Sequence, residues 1–330
     1  MKIYFVEKTI PFNSLDIDKP FIGGSEKTLI NISNELANDK SLIIKVFNLT
    51  SKKNIIKNVE WNNINNVSSN DQPDILISMS DANLLSLFRS KKKYLWSHSI
   101  QPIEKFIRKK QLYQFIKNKP IMILESNYHY KKRNFFTSMF GKKILPIAVD
   151  YDFINFKVDE KFVPNKKAIF TTRSDRNLEF LLNCWPTINF KSKKSSLYIN
   201  PPFNLTNEQK KLGIKLRSKG NKSDLINDLA TSRIMLNPGH KGEVFCLAAE
   251  EARELCIPIV TLGIGALKER VEHGVTGFIA KNSDEFINYT IKIFNDDNFY
   301  LNIKKNLMKK RNFRSYKNVA KDLLHIINEN

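Results

Sequence analysis

Short apolar runs rich in β-branched residues alternate with stretches of helical period along the whole chain. In the first half, strands are predicted at Ile3 to Val6, Leu42 to Phe47, Ile75 to Met79, Tyr94 to Trp96, Ile121 to Leu124 and Ile144 to Ala148. Helices are expected over Glu26 to Ala37, Ile103 to Ile116 and about Tyr128 to Met139. The second half restarts the pattern with Ala168 to Thr171, Leu197 to Ile199, Ile214 to Leu216, Ile234 to Leu236, Ile259 to Leu262 and Gly277 to Ala280. Strands separated by helices fit parallel sheets covered on both faces, so the expected class is α/β with two doubly wound, Rossmann-like domains. Apolar periodicity lapses between Val149 and Pro164, where Asp150, Asp152, Asp159 and Glu160 intervene. The expected domains are therefore residues 1–155 and 156–312, with a C-terminal helix at about 313–330 packing back on the first.

At 330 residues, the chain suits two domains of about 150 residues each. A hydrophobic content of 42% supplies both cores. No run reaches the roughly 18 apolar residues of a membrane span, and MKIYFVEKTIPF reads as a first strand ended by Pro11. A cytoplasmic location follows as the expectation. Cys184, Cys246 and Cys256 lack metal-like spacing and read as buried thiols. The formal charge of +21 invites an anionic partner, although abundant Lys, Asn and Ile also fit an AT-rich genome. Clustering says more than the total. Eleven basic residues lie between Ile100 and Leu145 against Glu104 and Glu125, interleaved with Tyr128, Tyr130, Phe135, Phe136 and Phe140, a composition suited equally to an anionic membrane interface and to a solvated basic face.

In open parallel sheets ligands bind beyond the carboxyl ends of strands, and two such domains facing each other would make a cleft. Candidate residues fall at those ends. Gly23 and Gly24, with Ser25 as expected N-cap, open the first helix; His98 follows YLWS; Arg173 and Arg176 follow IFTT; Glu243 follows RIMLNP; Gly263 and Gly265 follow IVTL. Each has an ordinary structural explanation as well, whether helix capping, a packed histidine or a charged helix entrance. Glu243 and Glu251 lie eight positions apart across a helix start. Glu251 shares a helix side with Leu247, Ala248 and Leu255, so a partner for its carboxylate is required there, while Glu250 and Glu254 are expected to point to water.

Together these segments resemble the retaining glycosyltransferases of family 4, the glycosyl transferases group 1 with the GT-B fold. EVFCLAAEEARELCIPIV is similar to the family's E-x-F-G-x-x-x-x-E-A-x-A-x-G-x-P-V, and GIGALKERVEHGVTGFIA to its glycine loop. TTRSDRNLEFLLNCWPTI resembles S-x-x-x-R-G-L-x-x-L-L-x-x-W-P, GGSE the N-terminal phosphate loop, YLWSH the histidine turn and ILPIAVDYDF the linker entry. Cys246 and Cys256 stand where the family has glycines, Arg176 where lysine is common, and Ser99 where an acid often follows the histidine.

The resemblance implies transfer of a sugar from a UDP- or GDP-hexose to a glycan or lipid-linked acceptor, in cell-surface polysaccharide synthesis. It assigns Glu243 and His98 to catalysis and Gly23, Gly24, Arg173, Arg176, Phe245, Cys246, Leu247 and Glu251 to the donor. Arg173, Arg176 and the amides of Phe245 to Leu247 would hold the diphosphate, Glu251 the ribose and Glu243 the donor sugar. DYD at Asp150 and DID at Asp16 are short chance-level matches to a metal-binding D-x-D, so no metal or cofactor is expected. A GT-B nucleotide-sugar epimerase shares these features. A basic nucleic-acid-binding protein is the other class, but no nucleic-acid module is recognisable and no nucleic-acid partner is expected.

Overall fold

The computed structural model describes the chain except residues 20, 21, 69, 70, 219 and 330. It divides into two compact units, one of residues 1–148 with 315–330 and one of residues 149–314.

The first unit holds β1 (Lys2–Val6), β2 (Ile43–Asn48), β3 (Asn54–Ile56), β4 (Val59–Asn63), β5 (Ile75–Met79), β6 (Lys92–Trp96), β7 (Ile121–Leu124) and β8 (Lys142–Ile144). They form one sheet in the order β3-β4-β2-β1-β5-β6-β7-β8, parallel except for β3 against β4. Central strands are buried on both faces, which is why β7 reads as an unbroken apolar run and β5 as one interrupted only by the buried Ser78. Helices α1 (Gly24–Leu36), α2 (Ile103–Arg108), α3 (Leu112–Asn118) and α4 (Asn127–Lys132) connect them.

Three local departures from the sequence expectation have physical causes. The Ile103 to Ile116 helix is two helices, because Lys110 takes a left-handed conformation (φ 52°) and the Gln111 amide turns back to Phe106 O at 2.8 Å. The Tyr128 to Met139 helix stops at Lys132, and a 3₁₀ turn follows at Phe136–Ser138. The α1 N-cap is Gly23, while the Ser25 hydroxyl donates to Glu26 Oε2. Strands β3 and β4 escaped the sequence pattern because Asn and Lys interrupt it, and β8 takes in only Ile144 of the run Ile144 to Ala148, starting two residues earlier.

The second unit contains β9 (Lys167–Phe170), β10 (Ser196–Ile199), β11 (Ile214–Leu216), β12 (Ile234–Leu236), β13 (Ile259–Thr261) and β14 (Gly277–Ile279), all parallel in the order β11-β10-β9-β12-β13-β14. Its helices are α5 (Tyr151–Ile154), α6 (Leu178–Lys191), α7 (Asn207–Lys211), α8 (Lys222–Ala230), α9 (Leu247–Glu254), α10 (Leu267–Arg270), α11 (Ser283–Asn295) and α12 (Asp297–Lys309). They cover both faces. One core gathers Trp185, Phe286, Phe294 and Tyr300; the other gathers Ala249, Ala252, Leu255 and Leu267. The chain then returns to the first unit as α13 (Tyr316–Asn328), which lies on α1 with the Tyr316 hydroxyl 3.3 Å from Thr28 Oγ1. The expected range 313–330 ends on a residue outside those described. Among the described residues no helix is long and apolar enough to cross a membrane, and the three cysteines are free and buried.

Candidate active site

In the second unit the strand order reverses between β9 and β12, which are neighbours in the sheet but far apart in sequence. That reversal sets the loops leaving their carboxyl ends side by side, the usual place for a ligand in such sheets. The β9 loop carries Arg173 and Arg176; the β12 loop carries His240, Gly242 and Glu243. Arg176 reaches across, with Nη1 2.7 Å from His240 Nδ1. Gly242 makes room for it: a Cβ there would sit 2.5 Å from Arg176 Nη1. Gly265, in the next loop at φ 75°, presses against the backbone oxygens of His240 and Glu243, and the Ala266 amide donates to Glu243 O at 2.9 Å. A side chain at either glycine would separate these loops.

Glu243 is 8% exposed, and its Oε2 has no hydrogen-bond partner among the described residues. Burial pushes its carboxyl up to about 7, against the opposing pull of Arg176, the Cys246 thiol and the His240 amide. An incompletely satisfied carboxyl at a strand end is costly for stability and suited to a ligand. Cys246, at φ 66°, turns the backbone left-handed into α9, which begins without a side-chain cap. Cys256, at the other end of the same segment, is also left-handed (φ 57°). Both positions at which the family pattern has glycine therefore keep the glycine conformation, each at a cost of about 1–2 kcal/mol for an L-residue.

Helix α9 corrects the expected roles of its acids. Leu247, Ala248 and Glu251 do share a side, and that side is partly open; the inward faces carry Ala249 and Ala252 together with Glu250 (4% exposed) and Glu254 (1%). Glu250 and Glu254 do not point to water. Glu250 faces Arg270 and Arg253, each at 3.6 Å, and accepts from Asn312 Nδ2. Glu254 accepts the Asn312 and Phe313 amides at 2.8 and 3.1 Å and pairs with Arg311. Arg270 also lies over the Phe245 ring, 4.1 Å from its centroid, and donates Nε–H to Phe245 O at 3.0 Å, fixing the turn that leads into α9. Arg173 stays outside this cluster. Its side chain is 74% exposed and pairs with Asp175.

The first unit gathers a second group. His98 follows β6, and its Nδ1 is 2.5 Å from Oε1 of Glu125, the residue that follows β7. A carboxylate only accepts, so Nδ1 donates to Glu125, and Nε2 is buried with no partner among the described residues. Trp96 stacks on the imidazole at 5.4 Å, and Ser80 Oγ accepts the His98 amide. Gly23 and Gly24 are exposed at the mouth of α1. Two carboxylates share that mouth through Thr9: Glu7 Oε1 accepts its amide at 2.6 Å and Glu26 Oε1 its hydroxyl at 3.1 Å. Burial and the Glu26 charge raise the Glu7 carboxyl above its ordinary range, against hydrogen bonds from Thr9 and Lys8 that lower it.

His240 and Glu125 were not singled out from the sequence. A histidine between Gly239 and Gly242 just ahead of Glu243, and an acid directly after the apolar run IMIL, were the available signals.

Both units thus present polar groups at the carboxyl ends of parallel strands, and the fold they define is GT-B. Residues 202–310 match the family described as glycosyl transferases group 1. By sequence, no curated protein matches the chain. Among solved structures, Anabaena HepE in complex with UDP-glucose is 14% identical over 100% of both chains (TM-score 0.70). Sucrose-phosphate synthase from Thermosynechococcus elongatus is 10% identical over 99% of this chain and 98% of that one (0.71). S. aureus TarM, in a complex containing UDP, is 14% identical over 77% of this chain (0.58), which spans only 55% of TarM.

Proposed function

We propose that the protein is a retaining glycosyltransferase of family 4 that moves a hexose from a UDP- or GDP-sugar to a glycan or lipid-linked acceptor, in cell-surface polysaccharide synthesis on the cytoplasmic face of a membrane. The observation that carries this reading is Glu243, buried and incompletely satisfied beside Arg176, at the point where the β9 and β12 loops meet. In this reading Glu243 takes hydroxyls of the donor sugar. Arg176 and the first amides of α9, from Phe245 to Leu247, take the diphosphate. Glu251, on the partly open side of α9, accepts the two ribose hydroxyls. Arg173 joins by leaving Asp175 as the leaving group gains charge, and cations and amides stabilise that charge without a metal.

In the first unit, His98 Nε2 takes a hydrogen bond from the acceptor hydroxyl, with Glu125 holding the ring. Gly23 and Gly24 lie beside two carboxylates, which suits them to sugar hydroxyls better than to phosphate oxygens. The group 1 match over residues 202–310 supports the donor assignment, and HepE and TarM, which share the fold, have been seen with UDP-glucose and UDP respectively.

Screening UDP-, GDP- and ADP-sugars for thermal stabilisation and turnover tests the reading. Glu251→Ala is expected to weaken the stabilising nucleotide roughly tenfold or more, as loss of a charged hydrogen-bond acceptor does. Unchanged affinity in calorimetry would remove Glu251 from the site. The membrane assignment rests on Ile107, Tyr113, Phe135 and Met139, which are 57%, 68%, 84% and 47% exposed amid Arg108, Lys109, Lys110, Lys131 and Lys132. Sedimentation with anionic vesicles, absent with neutral ones, is the expected result; no difference between the two rejects it.

A further inference from the structure

The loop that leaves β6, residues 97–102, is flanked by positive charge with no counter-ion. Arg133 is only 5% exposed, yet its guanidinium finds no carboxylate among the described residues: Nη1 donates to the Gln101 carbonyl at 3.1 Å, Nη2 lies 3.8 Å from Met122 Sδ, and Nε has no partner among them. The ring of Phe106 lies against it at 5.2 Å. Lys105 sits nearby, partly buried, and its ammonium donates only to Ser99 Oγ at 3.3 Å. Neither cation makes an ion pair with any described residue. The acids close in sequence are otherwise engaged or directed away, Glu125 by His98 and Glu104 by exposure to solvent on α2.

Desolvation pushes Arg133 down to about 10 and lowers Lys105, which also feels Lys109, Arg108 and Arg133. A buried guanidinium without an anion is an expensive arrangement for a fold to retain. Two more polar atoms around the loop are buried and unsatisfied. His129 Nδ1 accepts the Glu125 amide at 3.4 Å, which puts its proton on Nε2, buried and turned to the backbone of Ser99 in this loop without a well-formed hydrogen bond, and Gln101 Oε1 has no partner among the described residues. Cations and an N–H therefore surround the same short loop that presents His98.

We propose that this loop receives an anionic group, a phosphate ester or a uronate carboxylate, carried by the acceptor close to the hydroxyl that His98 engages. The inference rests on the glycosyltransferase reading for the word acceptor, and on the geometry of Lys105 and Arg133 alone for the anion. Lys105 supplies a mobile point charge at the entrance, and Arg133 anchors the loop and provides the fixed field behind it. The chemistry selects acidic acceptors over neutral ones.

The test uses the full chain saturated with UDP, so that the nucleotide site is filled, at physiological ionic strength. Inorganic phosphate and glucuronate are titrated separately by calorimetry; binding of the first points to a phosphorylated acceptor, of the second to a uronate. Lys105→Ala should weaken the bound anion about tenfold, Arg133→Met at least as much, and Arg133→Lys should recover part of the loss. Lys105 is partly exposed, so its variant decides the matter if Arg133→Met fails to fold. Failure of both anions to bind, or equal affinity in Lys105→Ala, overturns the proposal. If UDP does not bind, GDP takes its place in the titration; absence of both instead removes the glycosyltransferase reading, and the Lys105→Ala comparison in an Arg176→Ala background still decides the anion site.

Discussion

The mouths of α1 and α9 begin alike and end as opposites. Each helix follows a strand of a parallel sheet through a glycine-containing loop, and each starts without a side-chain cap, so each offers its first amides and the positive end of its dipole. At α9 the neighbouring loop contributes Arg176 with His240, and the buried carboxyl of Glu243 is held well above its usual range. At α1 the neighbours are Glu7, whose buried carboxyl is likewise raised and has an Oε2 without a partner among the described residues, and Glu26, joined to it through Thr9. A helix start worth a fraction of a charge does not outweigh two carboxylates. The side chains from adjacent loops, and not the helix start itself, decide which mouth can hold a diphosphate.

The largest expected effect that tests this contrast is on Glu243. Glu243→Ala should lower turnover roughly 100-fold or more while nucleotide affinity stays near its starting value, the pattern of a group that acts on the reacting sugar. A variant that turns over normally would reduce Glu243 to a structural acid. Next comes a paired measurement of nucleotide affinity at the two mouths. Arg176→Ala should weaken UDP binding by roughly 10- to 100-fold, the loss of a charge-assisted bond in a half-buried site, whereas Glu26→Ala should leave it within about twofold. If Glu26→Ala instead tightens UDP several-fold, phosphate does reach the α1 mouth and the contrast fails.

Much of this architecture was legible because parallel strands buried on both faces announce themselves as mainly apolar runs: β5, β7 and β12 begin and end where the sequence pattern places them. What the pattern hid was carried by long-range pairing. Strands β3 and β4 are polar on paper and become strands by adding to the edge beyond β2. The acids of α9 show the limit most plainly. Periodicity put Glu251 with Leu247, Ala248 and Leu255 on a burying stripe; only Leu255 is buried, and which side of a short helix faces inward depends on Arg270 and on residues 311–313, far away in sequence. His240 and Glu125 were obscured for the same reason, since each acquires meaning only from a partner on another loop, Arg176 in one case and His98 in the other.

The smallest effect is also the most discriminating one for the α9 mouth, because it concerns stability and not activity. The Glu243 carboxyl lies at about 7 in the folded chain against an ordinary 4.5, so between those values the unfolded chain has released a proton that the folded chain still holds. Stability contributed by this site must therefore fall as pH rises from about 4.5 to about 7 and stay level above it. Glu243→Gln removes the titration while keeping the shape. Its melting temperature should match the wild type at or below pH 4.5, rise above it through the interval, and lead by a constant few degrees beyond pH 7. A fold that keeps an acid whose replacement stabilises it at neutral pH retains that acid for what it binds. Were the Gln variant less stable than the wild type at pH 7, Glu243 would be a structural partner of Arg176, and the distinction between the two mouths would be one of packing alone.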